Sequence, residues 1–294
     1  MDDIEGQVDA LLQGRATVDL SSWLKIRVEG SDASAWLQDL LSADMASLRP
    51  GQARRSLLLG PTGRVRADMH VARTRTGFLL LQDHEQSRPV GSLLSPYLLS
   101  ADVALRDASA DLALIALVGA AAARVALSGF APSALGPGLD VVAPIGEAAR
   151  RIEDELRETG LVEVGPRALE TWRIRRGIAR MGPDFDAESL PSEAGLDEAI
   201  DRTKGCFLGQ ESIARIDNLG HPPRLLVHVS AGGAVERGDA VLDGTRVVGT
   251  ITSAAPTTGA DRASVALARV TWVASEHRLT LADGRPLTRV SAEG

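Results

Sequence analysis

Lys204, Gly205, Cys206, Phe207, Gly209, Gln210 and Glu211 crowd into the stretch TKGCFLGQES, and Cys206 is the single cysteine of the 294-residue chain. The thiolate, rather than the thiol, is the nucleophile and metal ligand, and a cation close by favours it. Lys204, two residues upstream, is therefore expected to activate Cys206. Gly205 and Gly209 allow backbone with positive φ and close approach of a ligand or another chain. A lone cysteine is equally a small buried hydrophobe, so both readings stand at this point. GQESIAR reads as the start of a helix, with Glu211 at the positive end of its dipole and Arg215 four residues on for an ion pair. The thiol thus lies on a loop that enters a helix.

A second group of reactive types follows the turn Gly60-Pro61-Thr62-Gly63. Val65, Ala67, Met69 and Val71 alternate with Arg64, Arg66, Asp68 and His70, which predicts a hairpin strand with one polar face. On that face Asp68 is the best-placed acid or base. Arginines gather twice, at Arg54, Arg55, Arg64 and Arg66 and at Arg173, Arg175, Arg176 and Arg180. Singly each is surface, but together they suit a small polyanion. No G-x-G-x-x-G, Walker or H-E-x-x-H pattern occurs and the five histidines lack ligand spacing, so no nucleotide-driven or metal chemistry is expected.

Composition limits the setting of this chemistry. One cysteine excludes an intramolecular disulfide and fits a reducing compartment. A net charge of −7 argues against a dominant grip on nucleic acid. The acidic N-terminus lacks a signal-peptide stretch and no window reaches the roughly 18 apolar residues of a membrane span. The expectation is a soluble, cytoplasmic protein with neither membrane nor direct nucleic-acid partners. With 44% hydrophobic and 24% charged residues, the chain can build ordinary cores, and its length suggests two domains or three small ones.

The elements that must hold these groups are mixed α and β. VDLSSWLKIRVEG reads as a strand leading into a helix in which Ala33, Trp36, Leu37, Leu40 and Leu41 share one face, capped by Ser31. FLLLQD, DVALRD and LALIALVG read as strands. Helices are expected through residues 85–100, from Ala120 to Leu127, over EAARRIEDELRETG up to Gly160, and over PRALETWRIRRG with Pro166 at its start. Beyond His221-Pro222-Pro223 the pattern changes to short strands with Asp-Gly turn signals at 243 and 283, a small antiparallel barrel or sandwich.

KGCFLGQE followed by AR resembles the K-G-C-[YF]-x-G-Q-E signature of the YgfZ-type folate-binding proteins, relatives of the glycine-cleavage aminomethyltransferase. The likeness extends to VDLSSWLKIRVEGSDASAWLQDLLSAD, GPTGRV, LPSEAGLDEAI and VVGTITSA, in family order. It implies an α+β, three-domain cloverleaf around a folate cavity. Residues 1–50 and 111–221 would form the discontinuous folate-binding domain, 51–110 an inserted α+β domain, and 222–294 the β-barrel. It further implies tetrahydrofolate, or a one-carbon derivative, as cofactor and iron–sulfur enzymes or their assembly proteins as partners, including tRNA-modifying ones.

Carried over residue by residue, the signature covers Lys204, Gly205, Cys206, Phe207, Gly209, Gln210, Glu211 and Arg215, with Cys206 as a redox or transient ligand group. Trp23 matches a tryptophan that lines the family's folate site, and Arg64, Trp172 and Arg175 join it as candidate folate contacts, although Trp172 lies about one helical turn from its aligned position. Two departures stand out. Arg175 replaces the glutamate by which the aminomethyltransferase branch grips the pterin, and Ala67 replaces one of its paired aspartates. These favour an accessory protein over the alternative, a folate-dependent aminomethyltransferase or demethylase acting through Asp68. A scaffold with a merely structural cysteine is a third reading.

Overall fold

The computed structural model describes residues 3–99, 101–257 and 263–290. From the N-terminus the elements are α1 (Ile4–Leu12), β1 (Ala16–Asp19), β2 (Leu24–Glu29), α2 (Ala33–Leu40), β3 (Ala53–Leu59), β4 (Val65–Arg73), β5 (Gly77–Gln82), α3 (Val90–Leu94) and β6 (Ala104–Asp107). Then come β7 (Leu112–Val118), β8 (Gly138–Pro144), α4 (Glu147–Glu158), β9 (Val162–Val164), α5 (Pro166–Arg175) and α6 (Gln210–Leu219). The last strands are β10 (Arg224–Ala231), β11 (Ala240–Asp243), β12 (Arg246–Pro256), β13 (Ser264–Thr271), β14 (Leu279–Leu281) and β15 (Pro286–Arg289).

The first sheet runs β8-β7-β1-β9. Its strand β7 is LALIALV, and all seven residues are buried. Leu112, Leu114, Ala116 and Val118 face α1 and α5, while Ile115 and Leu117 pack with Leu156 of α4. A continuous apolar run is what a strand covered on both faces requires. Helix α1 follows no periodicity noted in the sequence; Asp3 caps it through a bond from the Gly6 N–H, and Val8 and Leu11 fasten it to the core.

The second sheet is antiparallel with order β3-β4-β5-β2-β6. Helices α2 and α3 cover one face, where Leu37, Leu41, Met69, Val71 and Phe78 meet. Ala53, Ala72, Leu79 and Leu81 on the other face share a core with Val8, Ala16 and Trp172 of the first body. Here the domain boundary differs from the expected residue 50. Strand β2 and helix α2 belong to the second sheet, because the short turn at 20–23 passes the chain from one sheet to the other with no linker composition to mark the crossing.

Three local expectations also change. The helix through 85–100 shrinks to α3 and one 3₁₀ turn at Ser95–Tyr97, since Pro89 and Pro96 interrupt it. Residues Gly119–Arg124 form a 3₁₀ helix rather than a longer α-helix. Asp32, not Ser31, occupies the cap of α2, and Ser31 Oγ donates instead to Asp102.

The C-terminal strands close a six-stranded antiparallel barrel, β10-β13-β12-β11-β14-β15, filled by Val227, Val229, Val241, Ile251 and Leu281. A buried polar joint fixes it to α5. Arg173 donates to Asp184 at 2.6 Å, to both oxygens of Glu170, and to Ser253 Oγ on β12. Asp184 also accepts from Thr252 and Ser253 of β12.

Candidate functional site

Cys206 is exposed within a loop, residues 201–209, that is fixed on both sides of the thiol. Asp201 accepts from the Thr203 hydroxyl and from the N–H groups of Thr203 and Lys204. Phe207 is buried among Leu57, Leu59, Ile213 and Phe185. Leu208 N–H donates to the Asp39 carbonyl.

Lys204 does not serve the thiol as expected. Its ammonium donates to the carbonyls of Gln38 (2.5 Å), Leu41 (2.6 Å) and Ala43 (3.0 Å), at the C-terminal end of α2. It also lies 5.2 Å from the Phe207 ring centroid. A cation suits the negative end of a helix and the face of an aromatic ring. Lys204 therefore anchors the cysteine loop to α2, and burial brings its amine down to about 8. Gly205 has open space around its Cα and no positive φ, whereas Gly209 sits at φ +86° against Gly60. No ion pair joins Glu211 to Arg215 among the described residues, both being exposed; Gln210 opens α6 half-buried.

A second polar assembly lies on the face of the second sheet that looks toward α5. In register, Arg55 of β3, His70 of β4, Leu81 of β5 and Lys25 of β2 form one row across four strands. Two residues along, the row holds Leu57 and Asp68. Directly opposed residues point to the same face. Trp23, in the turn just before β2, packs against the core that Ala72, Leu79 and Leu81 of this same face help to build. Arg55, His70 and Lys25 were missed as a set because only strand register unites them.

Each group on this face has a partner that defines its chemistry. Asp68 accepts from Arg55 Nε (2.9 Å) and Nη2 (2.5 Å). Lys25 is fully buried and its ammonium holds the carbonyls of Ser21 and Trp23 at 2.7 and 2.8 Å, clamping the turn that presents Trp23. Burial pulls its amine below the usual lysine range, opposed by Asp19 and Asp107. Beside Arg55 opens a cavity of about 520 Å³, walled by Ala43, Asp44, Arg54 and residues of the segment 195–202. Its wall residue Ala43 is bonded to Lys204, so cavity and cysteine loop share a frame.

The remaining candidates are placed elsewhere. Arg175 turns away from this face: it pairs with Glu5 through two 2.8 Å bonds and donates to the Pro256 carbonyl, linking α1, α5 and β12. Trp172 is buried in the core that Trp23 flanks. Arg64 is bound to the backbone and side chain of Glu188. Arg215 is exposed on α6.

His70 gives the face a pH signature. Its Nε2 is 2.9 Å from the Pro132 carbonyl, in a segment held by Asp140, which accepts from Ser133 Oγ and Ala134 N–H. Burial, with help from Arg55, brings His70 down to about 4, and burial pushes Asp140 up to about 6. Between pH 6.5 and 4 the unfolded chain carries a proton on residue 70 that the fold refuses, so stability from His70 is lost as pH falls through this window. Between pH 6 and 3.8 the fold holds a proton on Asp140 that the unfolded chain has released, so its burial penalty fades as pH falls. Each effect is worth about 3 kcal/mol, from 1.36 kcal/mol per pH unit, and they oppose. Urea unfolding across pH 7 to 4 is expected to give a shallow slope for the wild type. Asp140→Asn steepens the loss toward acid, and His70→Gln reverses it.

Residues 1–133 match the family profile of the GCVT N-terminal domain. Among relatives, an aminomethyltransferase of Nostoc sp. is 28% identical over 85% of this chain and 76% of its own length. A chloroplastic protein of Arabidopsis thaliana, whose name places it only among the transferases, is 25% identical over 86% of this chain, and the match spans 64% of that protein. These matches support the aminomethyltransferase superfamily. The glycine cleavage system aminomethyltransferase T of Bartonella henselae superposes with a TM-score of 0.82 over 97% of this chain and 88% of its own, at 24% identity. The fold is therefore the aminomethyltransferase T fold, α+β with a closed C-terminal barrel. Among the described residues no helix is long and apolar enough to cross a membrane, and no cluster of three or more His, Cys, Asp or Glu side chains could hold a metal.

The cavity volume falls within the usual 300–1,000 Å³ of small-molecule sites. Arg54 and Arg55 stand in its wall, two guanidiniums that can pair with a carboxylate.

Proposed function

We propose that this protein is a tetrahydrofolate-binding accessory factor that supports assembly or repair of iron–sulfur enzymes, tRNA-modifying ones included, and that it does not itself transfer a one-carbon unit. The observation that carries the reading is the closure of Asp68 by Arg55. Both oxygens of this carboxylate are engaged by one guanidinium, so a donor amine could reach Asp68 only by displacing Arg55. The superfamily match supports the folate, and the exposed Cys206 in the KGCFLGQE stretch supports a redox or transient-ligand task on a partner. Aminomethyl transfer is the second reading, favoured by the names of the relatives; it would require Asp68 to leave Arg55.

Tetrahydrofolate is expected to raise the melting temperature, since a ligand at 100 times its Kd adds about 2.7 kcal/mol to the folded state. No glycine-cleavage activity is expected with the partner proteins of that system. Cells lacking the chain should lose iron–sulfur enzyme activity, and Cys206→Ala should reproduce the deletion while the purified variant still binds tetrahydrofolate. The absence of any thermal shift would remove the folate, rescue by Cys206→Ala would remove the thiol, and Asp68-dependent aminomethyl transfer would establish the enzyme.

A further inference from the structure

The first sheet has an outer face, turned away from the core it shares with the second sheet. In register, Thr17 of β1 lies beside Leu117 of β7 and Glu163 of β9, and Asp19 lies beside Ile115. Ile115 and Leu117 pack with Leu156 of α4, so this row looks toward that helix. Between sheet and helix opens a cleft of about 130 Å³, with Ile115, Leu156 and Leu161 as its apolar lining. Three carboxylates, Asp19, Glu153 and Glu163, also line it, against one cation. That cation, Arg157, is engaged on its own helix: Nη1 donates to Asp154 at 2.7 Å and Nη2 lies 3.9 Å from Glu153. Leu156 and Arg157 belong to the last turn of α4, the negative end of the helix. Thr17 supplies a separate sign of a ligand. It is only 7% exposed and lines the cleft, yet its hydroxyl makes no hydrogen bond among the described residues. A buried hydroxyl left without a partner is costly.

We infer that this cleft binds an aliphatic diamine or polyamine, with its methylenes against Ile115, Leu156 and Leu161 and its ammonium groups met by Thr17 Oγ1 and the carboxylates of Asp19, Glu153 and Glu163. An ammonium carries three donors and no acceptor, which suits an unused hydroxyl oxygen ringed by carboxylates. Among the described residues no three carboxylates converge closely enough to hold a metal ion, so the matching cation is one whose charges are spread along a chain. The site lies on the opposite side of the first sheet from the core shared with the second, and it is independent of the folate reading.

Calorimetric titration of the full chain with butane-1,4-diamine and, separately, with the neutral butane-1,4-diol tests it. The diamine is expected to bind the wild type saturably at one site, and the diol is not. Glu163→Gln and Thr17→Val should each weaken the diamine about 10-fold, the effect of losing one acceptor to a charged donor. Glu155→Gln is the control: Glu155 is exposed on α4 outside the cleft, so the variant removes the same charge and should bind within about 2-fold of wild type. If Thr17→Val fails to fold, the contrast between Glu163→Gln and Glu155→Gln decides. Absence of saturable diamine binding, equal binding of the diol, or wild-type affinity in a folded Glu163→Gln or Thr17→Val overturns the inference. An equal loss in Glu155→Gln and Glu163→Gln overturns it too, since the diamine would then be answering overall charge rather than this cleft.

Discussion

Asp184→Ala is expected to lower stability by about 3–5 kcal/mol, the cost of leaving one member of a buried ion pair uncompensated. Asp184 is almost wholly buried and its two oxygens accept from Arg173 Nη1, Arg180 N–H, Thr252 Oγ1 and Ser253 Oγ. Its loss leaves the Arg173 guanidinium, itself 5% exposed, with Glu170 as its remaining carboxylate. It also removes the acceptor shared by two hydroxyls of β12, which loosens the barrel from α5. Urea unfolding measures the loss directly, and a change under about 1 kcal/mol would show that the joint is dispensable. Asp184→Asn keeps an acceptor oxygen and should fall between the two.

The second large effect belongs to Gly209. Its φ is +86° and the Gly60 carbonyl oxygen lies 2.6 Å from where a Cβ would stand, so alanine there combines left-handed strain with a backbone collision. Left-handed backbone alone costs an L residue about 1–2 kcal/mol, and the collision raises the expected loss to at least about 3 kcal/mol. The reason lies in the seating of α6 on the hairpin turn. Ser212 donates to the Pro61 carbonyl at 2.7 Å, and a Cβ on Gly63 would touch Ser212. Gly205→Ala is the matched control and should change stability by less than about 0.5 kcal/mol, since nothing lies within 4 Å of that position. Equal melting temperatures for the two variants would contradict this account.

Function and stability are separable at this loop. Cys206 is exposed, so its removal costs the fold little, while the residues that hold it, Lys204, Phe207 and Gly209, are all spent on packing and anchoring. A sequence motif of mixed types is thereby divided by its contacts into one presented group and its support.

Much of the architecture followed from local pattern. The apolar run LALIALV could only be a strand covered on both faces, Pro166 and Gly160 marked helix ends, and the Asp-Gly pairs at 243 and 283 marked the turns of the barrel. Turn chemistry and period act between near neighbours, so they are legible in the chain. The placing of the thiol on a loop ahead of a helix was legible for the same reason. What tertiary structure alone decided is where the charged side chains go. Lys204 reaches carbonyls more than 160 residues away, Arg175 finds Glu5 at a separation of 170, and Arg55, His70 and Lys25 line up only through the register of β3, β4, β5 and β2. Long polar side chains choose partners by proximity in the folded state, and spacing along the chain carries no record of that choice.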